Sequence, residues 1–473
     1  MTNSTELAVI GGGPGGYTAA FLAADMGIKV TLIDEADNPG GVCLYRGCMP
    51  SKALLHVAKV LTEAKEARAW GVDFGEPIVD VARLRTWKNE VVDRLTRGLG
   101  QLTSQRDVTY LTGRAELLGP RTARVITNTS EPTELVFDHA ILATGSRPAL
   151  PSEFSIGSDR VWDSTRALEV PFVPRSLLVV GGGYIGLELG SVYATLGSAV
   201  TVAEMADGLL PGADRDLTAV VARRLSAICE EVLLETRVTA LAEDGEGVRV
   251  TLEGPSVGAL DRRFDRVLVA VGRVPNSEIP GLKCTGVRRD ARGFVVVDGQ
   301  RRTDEPTIFA VGDVVGEPML AHKASHEART AVGAIAGRSG VFEPAAIPAV
   351  VFTDPEVAWC GMTEAQASAE ARPVRVCRYP WAASGRAATL GRPTGVTKLI
   401  VDSESEVVLG AGIAGTGAGE LIAEAVVAIE MGATVSDLRL CVHPHPTLSE
   451  TLMESADVFF GQSTHVYRQK RQR

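Results

Sequence analysis

The chain has 473 residues, 45% hydrophobic and 22% charged, with a net charge of −10 and a pI near 5.4. Its length predicts about three domains, each able to bury a core, and its acidic balance argues against nucleic acid or an anionic membrane as main partner. Seven cysteines in so long a chain are not a secreted disulfide framework. No apolar run reaches membrane length, and a strand begins almost at once where a signal peptide would stand. The expectation is a cytoplasmic protein with no membrane or nucleic-acid partner.

In chain order, Leu7 to Ile10 is an apolar strand that runs into Gly11-Gly12-Gly13-Pro14-Gly15-Gly16 and a helical run from Tyr17 to Met26. A second strand, Ile28 to Ile33, ends in Asp34. Strand, Gly-x-Gly-x-x-Gly, helix and terminal acid form a dinucleotide fingerprint. The glycines let the backbone approach a pyrophosphate, and the acid accepts from a ribose hydroxyl.

Gly40 to Lys52 follows, holding Cys43 and Cys48 with four residues between them, and Pro50 and Ser51 open a helical run from Ala53 to Ala67. A helix extended back through both cysteines would place them about one and a half turns apart, and a helix start favours the thiolate. The pair reads as a redox-active dithiol, against two buried thiols or a structural bridge.

Helical Val81 to Ser104 and strand-like pieces near Val108, Arg124 and Val136 lead to the strand end Ala140 to Pro148. The fingerprint then recurs. Leu177 to Val180 precedes Gly181-Gly182-Gly183-Tyr184-Ile185-Gly186, and Ala199 to Ala203 leads to Glu204. Gly11 to Gly181 and Asp34 to Glu204 are both separated by 170 residues, which implies two dinucleotide sites. Glu204 favours the free 2′-hydroxyl of NAD over the phosphate of NADP. Val267 to Pro275 closes the second unit as Ala140 to Pro148 closes the first.

Thr307 to Asp313 is another apolar strand; Asp313 either caps a helix or accepts from a polyol. From Ile347 onward no glycine fingerprint appears. Strand-like Ala349 to Thr353 and Val396 to Val401 alternate with helical Gly419 to Met431 and Thr447 to Phe460, which reads as an α+β domain for self-association. It carries His443-Pro444-His445-Pro446-Thr447 and Glu450. His-x-His can bind metal, but no ligand cluster supports it, so no metal is expected. A histidine supplies the base that thiol chemistry needs. Glu450 either holds that imidazole or closes a capping box on Thr447. The basic end Tyr467 to Arg473 reads as a solvated tail.

From about Thr5 to about Gly461 the motifs, in order, resemble the pyridine nucleotide–disulfide oxidoreductase family. Gly-Gly-x-Cys-x4-Cys-x-Pro-Ser-Lys carries the resemblance most specifically. Its lipoamide branch, the dihydrolipoamide dehydrogenases, is suggested by Met319 to Ala324, by Tyr379 to Arg386 and by His443 to Thr447. The resemblance implies an α/β fold with two Rossmann-like domains and a C-terminal α+β dimerisation domain. The expected divisions are 1–150 (FAD-binding, with the redox disulfide), 151–275 (NAD-binding), 276–346 (a segment returning to the FAD domain) and 347–473 (dimerisation).

It implies FAD on Gly11, Gly13, Pro14, Gly16, Asp34, Glu35, Gly41, Lys52, Ala115, Thr144, Gly145, Ser146, Asp313, Met319, Leu320, Ala321 and His322. It implies NAD on Gly181, Gly183, Tyr184, Ile185, Gly186, Glu204, Val238, Ala270, Gly272 and Arg273. Cys43 would exchange with substrate, Cys48 would face the flavin, and Lys52 would pair with Glu188. His445 and Glu450 would serve the dithiol of a second chain in a homodimer.

The implied activity is oxidation of protein-bound dihydrolipoamide, with electrons passing through the dithiol and FAD to NAD+; the partner would be a lipoyl domain of a 2-oxo acid dehydrogenase complex or a free lipoyl protein. The competing assignments are a reductase of another small disulfide and a non-catalytic flavoprotein subunit, and retention of Cys43, Cys48 and His445 argues against the last. Tyr45, Arg46, Met49 and Pro444 depart from the family's usual residues, and none of these changes removes a reacting group.

Overall fold

The computed structural model describes residues 3–127 and 131–467. The first unit comprises β1 (Asn3–Ile10), α1 (Pro14–Asp25), β2 (Val30–Asp34), α2 (Gly41–Arg46), α3 (Cys48–Glu66), α4 (Val81–Gln105), β3 (Thr109–Thr112), β4 (Arg114–Gly119), β5 (Thr122–Ile126), β6 (Thr133–Leu142) and β7 (Ser146–Pro148). Strands β3-β2-β1-β6 run parallel, and β5 and β4 extend the sheet antiparallel. The second half of strand β1, Leu7 to Ile10, is wholly apolar because both its faces are covered. Leu7 and Val9 pack with Ala19 and Ala20 of α1, while Ala8 and Ile10 pack with Leu117 and Phe137.

The second unit comprises β8 (Val161–Trp162), α5 (Ser164–Leu168), β9 (Ser176–Val180), α6 (Tyr184–Thr195), β10 (Ala199–Ala203), α7 (Arg215–Ile228), β11 (Glu231–Leu233), the antiparallel β12 (Arg237–Glu243), β13 (Val248–Gly254) and β14 (Gly258–Phe264), then β15 (Arg266–Val269) and β16 (Arg273–Pro275). Its parallel sheet has the order β11-β10-β9-β15-β8. One face of it is shared with the first unit: Leu54 and Ala58 of α3 lie in the same core as Leu177, Val179 and Leu187. Strand β16 pairs back on β7.

The chain then returns to the first sheet. Strand β17 (Ile308–Ala310) adds in parallel to the end of β6, and α8 (Ala321–Ile335) packs on α1, placing Ala328 and Val332 in the core with Leu7 and Val9. The last unit is a five-stranded antiparallel sheet, β18 (Ala349–Val351), β19 (Glu356–Gly361), β20 (Val374–Pro380), β21 (Val396–Asp402) and β22 (Val408–Gly415), in the order β18-β19-β22-β21-β20. With it are α9 (Glu364–Ala369), α10 (Gly385–Thr389), α11 (Ala418–Glu430), α12 (Val435–Leu440) and α13 (Glu450–Phe460). Among the described residues no helix is long and apolar enough to cross a membrane.

Three local expectations shift. Helix α1 begins at Pro14 rather than Tyr17, because proline's missing N–H costs nothing in the first turn. The Gly40–Lys52 stretch does not form one helix. It breaks at Gly47, where a Cβ would stand 2.9 Å from the Val42 carbonyl oxygen, so Cys43 lies in α2 and Cys48 opens α3. Helix α13 starts at Glu450 rather than Thr447, since Thr447 turns back to donate its hydroxyl to the Pro444 carbonyl at 2.8 Å. All of the basic tail beyond Tyr467 lies outside the described residues.

Candidate active site

A cavity of about 890 Å³ runs along the carboxyl ends of the first parallel strands. Its wall includes Gly11, Gly13, Pro14, Asp34, Glu35 and Gly41, then Ala115, Thr144, Gly145, Ser146 and Asp313, with Met319 and Ala321 at the start of α8. Cys43, Cys48, Lys52, Tyr184, Ile185, Glu188 and Arg273 also line it. Dinucleotide and dithiol determinants far apart in the chain therefore share one chamber.

The glycine loop is built for a close ligand. Gly11 has φ +105°, and a Cβ there would stand 2.3 Å from the Ala143 carbonyl oxygen. A Cβ at Gly16 would meet the Gly11 carbonyl oxygen at 1.7 Å, so Gly16 serves helix–strand packing and is absent from the wall. Asp34 accepts the Gly12 N–H at 2.5 Å and the Ala36 N–H at 2.9 Å, which leaves lone pairs on both oxygens for a diol. Asp313 caps no regular helix; its carboxylate accepts the Ser146 hydroxyl at 2.5 Å, and the Ser146 hydroxyl in turn accepts from Arg273 Nε at 2.7 Å. This donor and acceptor set, along a glycine-lined chamber that ends at two thiols, fits a flavin dinucleotide.

Cys43 and Cys48 stand as free thiols joined by a hydrogen bond. That bond raises Cys43. It also lowers Cys48 to about 7, where burial opposes the shift and the Lys52 ammonium one turn along α3 adds to it. Lys52 Nζ lies 3.0 Å from Glu188 of α6, whose side chain is 4% exposed. Burial and the neighbouring cysteines push Tyr17 up to about 12.

The second glycine loop repeats the first. Gly181 has φ +107° with its Cβ direction 2.5 Å from the Ala270 carbonyl oxygen, and Glu204 accepts the Gly182 N–H at 2.6 Å and the Ala206 N–H at 2.7 Å. Gly181, Gly183, Gly186, Glu204, Ala270 and Gly272 gather at this loop, outside the first cavity, whereas Tyr184, Ile185 and Arg273 reach into it. Val238 is buried in the core with the β12–β14 strands, in register with Leu252 of β13. Leu320 and His322 do not line the cavity. Leu320 caps α8, and His322 Nε2 is 2.8 Å from the Pro348 carbonyl oxygen, because successive positions at that helix start point in different directions.

His445 and Glu450 also lie outside the cavity wall. The His445 side chain is 75% exposed, with Nδ1 2.9 Å from Glu450 Oε1. Glu450 Oε2 accepts the Thr447 N–H at 2.8 Å, so one carboxylate both holds the imidazole and closes the turn. Burial opposes these partners, yet together they lower the Glu450 carboxyl. His443 takes a separate acid, Glu424, at 2.7 Å. Among the described residues, Asp214, Asp216 and Glu364 converge as metal ligands would, but Lys398 Nζ sits 2.7, 2.7 and 2.6 Å from them.

Sequence reasoning missed Phe352, whose ring lies over Lys52 Nζ at 4.4 Å and whose N–H donates to Glu188 at 3.0 Å. It also missed Glu327, fully buried, which accepts the Gly312 N–H at 2.7 Å and pairs with Lys323 and Arg301. A glutamate at 0% exposure inside an amphipathic helix is a pattern signal only once the burial is known.

The comparisons with known proteins agree with this geometry. The family described as pyridine nucleotide-disulphide oxidoreductase matches residues 5–328, and its dimerisation domain matches residues 347–456. The dihydrolipoyl dehydrogenase of Vibrio parahaemolyticus is 46% identical over 98% of both chains, and that of Haloferax volcanii is 44% identical over 98% of both. Among solved structures, LpdA from Mycobacterium tuberculosis superposes with a TM-score of 0.89 at 26% identity, covering 96% of this chain and 99% of that one. The HOCl-induced flavoprotein disulfide reductase RclA from Escherichia coli gives 0.83 at 29%, covering 94% and 98%. Two glycine-loop units around a paired-cysteine chamber, followed by a matched dimerisation domain, place this chain in the pyridine nucleotide–disulfide oxidoreductase family.

Proposed function

We propose that the chain is an FAD-containing, NAD-dependent dihydrolipoyl dehydrogenase that acts as a homodimer on lipoyl groups carried by a partner protein. The observation that carries this is the position of Cys43 and Cys48 at the end of the glycine-lined chamber, beside Lys52 and Glu188. Domains divide as 1–150 for FAD, 151–275 for NAD, 276–346 returning to the first unit and 347–473 for self-association. The pairing of β17 with β6 supports the return.

The residues would act on thiols and protons. Glu450 holds Nδ1 of His445, which leaves Nε2 as the basic nitrogen. Nε2 takes the proton of a dihydrolipoyl thiol. The resulting thiolate attacks Cys43 Sγ of the oxidised pair; the Cys43–Cys48 bond breaks, and Cys48 leaves as a thiolate stabilised by Lys52. The second substrate thiol, releasing its proton to solvent, attacks the substrate sulfur of the mixed disulfide. Lipoyl disulfide departs, and Cys43 takes a proton back from His445. The cysteine pair has gained two electrons. Bound FAD supplies the transfer of that electron pair onward to NAD+. Gly11, Gly13, Gly41, Asp34, Ser146 and Asp313 would hold it, while Glu204 and the Gly181–Gly186 loop would hold NAD.

Because His445 is absent from the wall around its own chain's dithiol, each chain would supply its His445–Glu450 pair to a second copy. Turnover of dihydrolipoamide with NAD, and much less with NADP, tests the activity. Mixing Cys43→Ser chains with His445→Gln chains under subunit exchange tests the sharing. Recovery to roughly a quarter of wild type is expected, and no recovery with exchange confirmed would reject it.

A further inference from the structure

Phe352 follows β18 in the C-terminal unit, yet it touches both halves of an ion pair that belongs to the other two units. Its ring covers Lys52 Nζ from α3 at 4.4 Å, and its N–H donates to Glu188 Oε1 from α6 at 3.0 Å. Glu188 is buried, and its only cation among the described residues is Lys52. An aromatic face attracts an ammonium and keeps water from it, and both effects grow as the site is desolvated.

We infer that Phe352 is a positioning residue for the Lys52–Glu188 pair and through it sets the charge state of Cys48. The groups facing Cys48 are Cys43 from α2, Lys52 on its own helix, Glu188 and Tyr184 from α6, and Tyr17 from α1. Of these, Lys52 favours the thiolate and Glu188 opposes it. The ring holds the ammonium near Cys48, and the backbone N–H draws off part of the carboxylate's charge. Both actions tip the balance toward the thiolate. The C-terminal unit thus acts within its own chain's redox centre, through the contacts of Phe352 with Lys52 and Glu188.

The inference rests on the proposed dithiol chemistry and is tested on two-electron-reduced holoenzyme by following the long-wavelength thiolate-to-flavin absorbance against pH. Phe352→Leu keeps the backbone N–H and removes the ring; the thiolate is expected to bind its proton about tenfold more tightly. Phe352→Tyr keeps the ring and is expected to return within about twofold of wild type. In a Lys52→Met background, Phe352→Leu is expected to add nothing. An unchanged profile in folded, flavin-loaded Phe352→Leu overturns the inference, as does an equal shift with and without Lys52. If the leucine variant does not fold, Phe352→Met, with similar volume and no ring, answers the same question. A wild-type enzyme lacking the band altogether would instead defeat the dithiol reading.

Discussion

The two glycine loops are near-copies that end differently. Gly11 and Gly181 share their left-handed φ, Asp34 and Glu204 accept equivalent N–H groups, and Gly40 and Leu210 each donate to the loop's second glycine, at 2.8 and 2.9 Å. One residue later they part. Gly41, at φ +56°, presses so close that a Cβ would fall 2.4 Å from Gly13 Cα, and the chain turns straight into the helix of Cys43. At the matching place the second unit has Pro211, and Gly183 has open space around its Cβ direction. One framework thus makes a closed cradle in the first unit and an open shelf in the second. Under the proposed function that difference would be the one between a resident cofactor and one that arrives and leaves.

The sharpest way to separate the two units is to stop one half-reaction. His445→Gln is expected to slow reduction of the dithiol by dihydrolipoamide by about two to four orders of magnitude, while flavin reduction by NADH stays nearly intact. Stopped-flow measurement of each half-reaction checks this, and equal losses would make His445 structural. Next in size, Gly41→Val should weaken flavin retention about tenfold to a hundredfold, because overpacking acts against backbone there. Gly183→Ala should leave the flavin content at wild type. The flavin-to-protein absorbance ratio reads both, and equal flavin loss would erase the contrast between cradle and shelf.

Smaller is the effect of Glu204→Gln, which removes the charge and keeps one of the two acceptor oxygens for the loop. NAD:NADP discrimination, as the ratio of kcat/KM values, should narrow about tenfold, with flavin content unchanged. Smallest in amplitude is the pH dependence of the reduced enzyme. Cys48 sits at about 7, so its thiolate is present above that pH and is lost as pH falls through it. The long-wavelength band should fade below about pH 7, and a band constant down to pH 5 would contradict the Cys43 and Lys52 contacts as its cause.

Repetition made the two dinucleotide units legible in the sequence: a strand, a glycine loop and an acid recurring at one interval leave few folds to choose among. The dithiol was legible from spacing and neighbours, although the break at Gly47 was not, since glycine's conformation there depends on how close Val42 comes. Glu450 was ambiguous because both of its proposed partners are real, and a string of letters cannot show one carboxylate using two oxygens. Phe352 left no trace, because nothing local distinguishes an aromatic bound for an ion pair from one bound for a core. Leu320 and His322 lie outside the cavity wall while Met319 and Ala321 line it, since a motif names neighbours in sequence without regard to the direction each side chain takes.

The return of β17 and α8 to the first sheet has a consequence for how the chain is made. Strand β1 and helix α1 are synthesised long before the helix that covers them, which ends at Ile335. Until then Leu7, Val9 and Ala19 have no α8 to pack against, and the far end of β6 has an open edge. An entire second unit must emerge from the ribosome, and can condense, before the first is sealed. The N-terminal unit therefore finishes late, its closure is a long-range contact, and a chain truncated before β17 would expose an apolar helix face and an unfinished sheet edge to its neighbours.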